Sequence, residues 1–463
     1  MTRGAGAMMR EATRLTRRSI LEAIPLLGGT VLAACRQAGA PGATGEQQAA
    51  LKPGTVLYWH WGGIQVATNN YHPSFVSYSE KFMQKFPNVK VEVDSPAGYW
   101  DKIPASIAAG NPPDVFFMNS VNNRPYFNQG AIKDLTPLAT KDRTWARDQQ
   151  QMLKSFVDWY TLRGKLHGVP FDYSTIANAY NLAHLREVGL TPPSQLGDRW
   201  DWNMLADYAT RLTRREGGEV VRWGFLALNS IEVGWYNFVT ANGGAMWDQD
   251  GRRCTLASPQ AIEATQFLVD LIYKSQVSPN REQANQAGNN VTGLINNKYS
   301  MTTNGDWNFK PLSQAQGLEW DVTFIPKSPR TGKTGSMANL RGLVMTEQSK
   351  VVEQAWAWMT FLGSKEIQDR VAVDFAEVPA RTDSALEVYT NPAGPPPGRR
   401  NLRESILATL PIPAHEIIPW TQFTPLFTGP LNDIWDGKVG VAEGLRMAQE
   451  NIQKASDEAF SRK

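Results

Sequence analysis

Apolar positions in this chain follow two periods, and the order in which the periods alternate outlines an architecture. The run Thr55-Val56-Leu57-Tyr58-Trp59 is nearly continuous in β-favouring residues and predicts a buried strand. Tyr71 to Phe86 then sets Phe75, Tyr78, Phe82 and Phe86 three or four apart, the spacing of one helical face, and Pro87-Asn88 stops it. Val89 to Val93 alternates apolar and polar as a second strand. Trp100 to Ala109 reads as a second helix, closed by Gly110-Asn111-Pro112-Pro113, and Val115 to Met118 is a short buried strand. This strand–helix–strand–helix–strand order predicts a parallel sheet with helices on its faces.

Further along, Gly164 to Asn181 reads GKLHGVPFDYSTIANAYN. A glycine-bracketed turn, a φ-fixing proline, polar aromatics and an apolar strand from Ile176 to Tyr180 suit a crossing between two lobes. Trp356 and Trp358 fall inside a helical pattern and read as packing residues. Tyr389 to Arg400 is rich in Pro and Gly and predicts an exposed loop. A final helix from Val439 to Phe460 lines up Val441, Leu445, Ala448 and Ile452 on one face.

Composition adds that the 463 residues suffice for two cores, and that 42% hydrophobic with 20% charged residues describes a soluble globular chain. The formal net charge of +3 comes entirely from residues 1–34, where five arginines face two glutamates. The remainder is neutral and has no excess charge to attract nucleic acid. That basic segment contains the twin-arginine pattern Thr16 to Leu21, an apolar stretch from Ile24 to Leu32, and Leu32-Ala33-Ala34-Cys35, a lipobox-like site. Glu22 departs from an ideal signal. Residues 1–34 are therefore expected to be a signal peptide. Cys35 is expected to be a lipidated anchor on the outer side of the bacterial cytoplasmic membrane, with 35–53 as a flexible tether. No later run is apolar enough to span a bilayer. With Cys254 the only other cysteine and five scattered histidines, neither an internal disulfide nor a metal site is expected, nor any cofactor.

Several segments resemble, in order, the extracellular solute-binding proteins of sugar ABC transporters, of the maltose-binding type. Ala108-Ala109-Gly110-Asn111-Pro112-Pro113-Asp114-Val115 resembles that family's AG-x-x-PDV segment, and Gly164 to Pro170 its GKxYGxP turn. Gly189-Leu190 with Pro192-Pro193 and the helix Trp200 to Thr213, then Asn242-Gly243-Gly244 with Ser258-Pro259-Gln260-Ala261, follow in family order. Ser300-Met301-Thr302 with Asp306-Trp307, and Ser349 to Phe361, complete the series. The resemblance implies an α/β, two-lobe periplasmic-binding-protein fold (type II-like) that closes about a hinged cleft. Carried over by position, residues 54–170 with 301–345 form lobe 1, and residues 171–300 with 346–463 form lobe 2.

Sixteen tryptophans suit a carbohydrate cleft, because polarised sugar C–H groups stack on aromatic faces; core packing is the competing role for each. Trp61, Trp100, Trp235 and Trp307 stand beside turn residues and are the candidate stackers, with Tyr99 next to Trp100. Asn119 and Asn122 follow the strand ending at Met118, at the carboxyl edge where open α/β sheets bind ligands. Asp172, Tyr173 and Ser174 occupy the place where the resembled family reaches across its hinge, and Glu232 lies in a segment that lines its cleft. Asp306, Asn339 and Arg341 complete the polar set, with turn or cap roles as the alternative for each. Asp114, wedged between Pro113 and a strand, is expected to order its loop.

The resemblance implies a monomeric binder that delivers a sugar to ABC permease subunits and is not an enzyme. The competing enzyme reading is an exported glycoside hydrolase drawing its carboxylate pair from Asp172, Glu232 and Asp306. A scaffold protein would carry repeats, and none is present. A phosphate ligand such as glycerol phosphate wants convergent basic residues, and only Arg341 is evident.

Overall fold

The computed structural model describes residues 51–61, 71–391 and 396–462. The signal segment 1–34, Cys35 and the tether up to residue 50 lie outside the described residues. Within them, the opening strands form as the pattern predicts: β1 (Gly54–Trp59) lies parallel to β2 (Val89–Asp94) and to β3 (Val115–Asn119). The helix His72–Lys85 between β1 and β2 buries Phe75, Tyr78 and Phe82. The helix Tyr99–Ala109 is bounded by Gly98 and Gly110, both in the left-handed region, where glycine carries no Cβ penalty. Asp114 does order its loop: its carboxylate accepts from the Leu57 amide (2.9 Å) and the Ser349 hydroxyl (2.7 Å).

Two sheets organise the rest. The first adds β4 (Val169–Tyr173), β10 (Leu340–Met345) and the two-residue β11 (Val378–Pro379), all antiparallel additions, in the order β11-β4-β10-β3-β1-β2. The second contains β5 (Ile176–Asn181), β6 (Arg214–Glu216), β7 (Glu219–Leu226), β8 (Tyr299–Gly305) and β9 (Trp320–Thr323), in the order β9-β5-β8-β7-β6. Two cores form, and the first also takes in Ala177, Ala179, Trp320 and Val322 from β5 and β9 of the second sheet. Tyr58, Phe75, Phe82, Phe117, Trp358 and Met359 belong to the first, and Tyr180, Trp200, Leu205, Trp235, Leu268 and Met301 to the second. Consecutive strands β4 and β5 lie in different sheets, so the chain crosses at Ser174-Thr175, where the Asp306 amide donates to the Thr175 carbonyl (3.1 Å). A short parallel pairing of Ser336–Ala338 with Thr409–Pro411 marks a second junction.

The sheets correct the expected boundaries at both ends. Residues 301–323 were assigned by position to the first lobe, but β8 and β9 pair with β5 in the second sheet. The helix Val352–Leu362, the helix Lys365–Asp374 and β11 pack with the first core, although 346–463 was expected wholly in the second. Only the chain after about Ile412 joins the second core, through Leu431, Leu445 and Ile452. The cause is non-local: a buried strand pairs where a complementary neighbour lies, which its own sequence does not state.

The Pro/Gly segment also differs from a simple exposed loop. Tyr389, Gly398 and Arg399 are buried, and the Gly398 amide donates to Asp321 Oδ1 (2.6 Å). A Cβ on Gly398 would stand 2.0 Å from the Val322 carbonyl oxygen, so only glycine permits that approach. The final helix, Val441–Ser461, buries Val441, Leu445, Ala448 and Ile452 as the spacing predicts.

Candidate functional site

Register brings the polar candidates to the crossing. On β10, Arg341 lies opposite Asn119 of β3 and Asp172 of β4. Its Nε donates to Asp172 Oδ1 and its Nη2 to Asp172 Oδ2, both at 2.7 Å, a bidentate pair. Nη1 donates to the Tyr71 hydroxyl (3.2 Å), Tyr71 donates to the Glu377 carboxylate, and Glu377 also pairs with Arg341. Arg341 is 8% exposed and Asp172 fully buried. Burial raises the Asp172 carboxyl while Arg341 draws it down. Burial opposes the Arg341 charge, yet Asp172 and Tyr71 hold its pKa above the ordinary arginine value.

This overturns two ligand roles. A guanidinium whose fork is filled by Asp172 and flanked by Glu377 does not present that fork to a solute. Arg341 and Asp172 form a structural ion pair under the site. Tyr173 is likewise fully buried, edge-on to Phe156 at 4.5 Å, with its hydroxyl 3.5 Å from the Ile406 carbonyl; it packs the crossing. Ser174 is buried at the turn.

Two further carboxylates approach Arg341 from the second sheet. Asp306, at the end of β8, accepts from the Tyr389 hydroxyl through Oδ2 (2.9 Å), while its buried Oδ1 has no partner. Burial pushes it up to about 7, against the pull of Tyr389, Arg399 and Arg341. Glu232, in the loop before the helix Trp235–Ala241, lies deep among protein atoms yet keeps part of its surface open. Burial pushes it up to about 7 and Arg341 pulls it down. Its main-chain carbonyl accepts from Asn237 Nδ2 (2.7 Å), which fixes the loop.

The aromatic candidates divide. Trp61 stacks on Phe117 (4.5 Å, 30°) and lies 5.0 Å from Trp100 and 5.7 Å from Tyr99, so these three gather beside the carboxyl ends of β1 and β3. Trp100 is 38% exposed. Tyr99 is buried and donates to the Phe117 carbonyl (2.5 Å), which fits a supporting role. Trp307 is half-buried and folds back over Gly305, where a Cβ would meet its ring at 2.0 Å. Trp235 is a correction: it is fully buried in the second core, and its Nε1 donates to Thr265 Oγ1 (2.7 Å). Preceding Gly234 does not mark it as exposed, because that glycine lies against the Leu228 carbonyl.

Asn119 and Asn122 hold each other, Asn122 Nδ2 donating to Asn119 Oδ1 (2.9 Å). Asn339 is half-buried and accepts from Ser120 Oγ (3.4 Å). Residues that the sequence reading passed over include Tyr71 and Glu377 around Arg341, Tyr389 and Arg399 around Asp306, and Arg124 with Trp159 just beyond Asn122. Arg124 was within reach of the same argument that selected Asn122, since it follows the same strand end. Glu377 carried no local signal. Among the described residues no group of three or more His, Cys, Asp or Glu could hold a metal ion, and no helix is long and apolar enough to cross a membrane.

Two sheets, joined beside a collection of aromatic and acidic groups, define a two-lobed ligand-binding fold. The chain belongs to the bacterial extracellular solute-binding protein family, whose profile matches residues 77–395. It is 22% identical over 345 residues to a binding protein of Brucella abortus, covering 72% of this chain and 80% of that one. It is 19% identical over 345 residues to the maltotriose-binding protein of Pyrococcus abyssi, covering 73% and 69%. In three dimensions it is similar to an ABC substrate-binding protein of Listeria monocytogenes solved with cycloalternan, with TM-score 0.71 and 21% identity over 87% of this chain and 98% of that one.

Proposed function

We propose that this chain captures a carbohydrate between its two sheets and delivers it to an ABC permease. It acts as a monomer tethered at the outer face of the membrane through lipidated Cys35. The observation that carries the reading is the gathering of Trp61, Tyr99 and Trp100 at the carboxyl ends of β1 and β3, with half-open Glu232 and Trp307 on the side of the second sheet. Aromatic faces stack on sugar rings while carboxylates accept from hydroxyls, and only a ligand seated between the sheets meets both sets. Such a ligand shifts the population toward the closed arrangement, which the permease reads. The binding of maltotriose and of cycloalternan by relatives supports a sugar as the solute class.

Two features weigh against hydrolysis. Asp172, one of three candidate acids, is locked to Arg341. Glu232 and Asp306 are both pushed to about 7, whereas an acid–base pair works through environments that drive two carboxyls apart. A phosphate ligand finds Arg341 already paired. Isothermal calorimetry and thermal shift on the chain from residue 51, with a panel of mono- and oligosaccharides, test the proposal: a saturable heat and a raised melting temperature are expected. Turnover of a chromogenic glycoside that disappears in Glu232→Gln or Asp306→Asn overturns it.

A further inference from the structure

One charged side chain near the junction is left unpaired by everything around it. Arg124 lies in the short helix Asn123–Asn128, directly after the carboxyl end of β3. Its guanidinium carbon sits over the Trp159 ring, 3.8 Å from the centroid. Trp159 is itself fixed, its Nε1 donating to the Ser120 carbonyl (3.0 Å) and to Asn123 Oδ1 (3.2 Å), and it packs against both cores. The two therefore stand where the sheets meet. Among the described residues the Arg124 guanidinium makes no hydrogen bond or ion pair to protein, and its Nε is buried without a partner; only its main-chain carbonyl is engaged, accepting from Asn128 Nδ2 (3.3 Å). The buried Nδ2 of neighbouring Asn123 is also unpartnered.

We infer that Arg124, held over the Trp159 ring, reads a carboxylate on the captured sugar, so that the ligand class includes uronic or aldonic acids. The inference rests on the sugar-binding reading above and sharpens it. The ring contact anchors the guanidinium and uses none of its N–H donors, which stay available for two parallel hydrogen bonds, the geometry that a carboxylate accepts. The local charge is suitable. Glu416, the acid whose field reaches Arg124, is itself bound by Arg163 (2.8 Å), so these three groups sum to one positive charge. Burial pulls the Arg124 pKa down to about 10, with Glu416 opposing, which is the expected behaviour of a cation that has left water without gaining a partner. A single fork matches a monoanion; a phosphate dianion calls for a second cation, and Arg341 is engaged elsewhere.

Calorimetry on the same chain with glucuronate, galacturonate and their neutral parent sugars tests this, alongside Arg124→Gln and Arg124→Lys. At least one acidic sugar is expected to bind more tightly than its neutral parent, with an advantage that shrinks as salt is raised. Arg124→Gln should cost that acidic sugar about 10- to 100-fold while changing the neutral parent's affinity only a few-fold. Arg124→Lys should restore part of the loss, because the charge returns but the planar fork does not. Binding of neutral sugars with no gain for any acid sinks this inference and leaves sugar capture standing. Equal losses for acidic and neutral sugars in Arg124→Gln also sink it, since they mean that Arg124 merely props Trp159. A chain that binds neither class overturns both readings.

Discussion

Consider Glu232→Gln, which keeps the side chain's shape and removes its charge. An ordinary glutamate titrates near the model-peptide value of 4.5, and this one is pushed up to about 7 by burial. A carboxyl with a raised folded-state pKa favours the protonated form in the native protein. Its stabilising contribution is therefore complete below the unfolded value and is lost as pH rises through the folded one. Full ionisation costs about 3 kcal/mol relative to the protonated state, and between about pH 5.5 and about pH 8.5 roughly 2 kcal/mol of that is lost. Glutamine does not titrate, and Asp306, also raised to about 7, contributes equally to both proteins. The stability gap between variant and parent should thus move by roughly 2 kcal/mol in the variant's favour across that window. Urea unfolding of the ligand-free proteins at several pH values, followed by tryptophan fluorescence, measures it. A gap that stays constant with pH refutes the claim that Glu232 sits deep and unneutralised.

Other expectations follow from the same contacts. Arg341→Met leaves Asp172 and Glu377 buried without their cation and should destabilise by about 3–5 kcal/mol in urea melts; adding Asp172→Asn should recover part of that loss. Trp307→Ala should weaken sugar binding by about 1–3 kcal/mol in calorimetry, if sugar stacking matches base stacking in scale. Trp235→Phe should leave affinity unchanged while lowering the melting temperature, because it removes the Nε1–Thr265 hydrogen bond and part of a fully buried ring from the second core, although Thr265 keeps its bond to the Ala261 carbonyl. Gly398→Ala should cost about 1–3 kcal/mol, since its methyl group meets the Val322 carbonyl; a melting temperature equal to the parent's would contradict the close approach.

What the sequence disclosed, and what it withheld, follows from the range of each interaction. The parallel opening of the first sheet was legible because β1, β2 and β3 are short, adjacent and separated by helices with clear apolar faces. A crossing within Gly164 to Asn181 was legible from its turn and proline, but the expected division after Pro170 falls early, because β4 runs on to Tyr173 in the first sheet. Arg341 and Asp172 both carried signal, but their mutual pairing spans 169 residues, so two supposed ligand groups turned out to satisfy each other. Trp235 and Trp307 have similar local settings, each shortly after a glycine. One is nonetheless core and the other half-buried, because burial is decided by the elements that pack above them. Strand β8 could not be assigned to a sheet from its own residues, since its partners β5 and β7 are what place it.

The interleaving of the chain between the two sheets bears on synthesis. The first core contains Val378 and Ile406, and the second is completed by Leu431, Leu445 and Ile452. Neither core can close on a ribosome-bound fragment that lacks the last quarter of the sequence, and no contiguous half of the chain encodes a self-sufficient lobe. Where ordinary multidomain chains fold their leading domain as it emerges, the described residues of this one contain no leading domain to fold. Among the described residues, neither core is complete until translation is nearly finished.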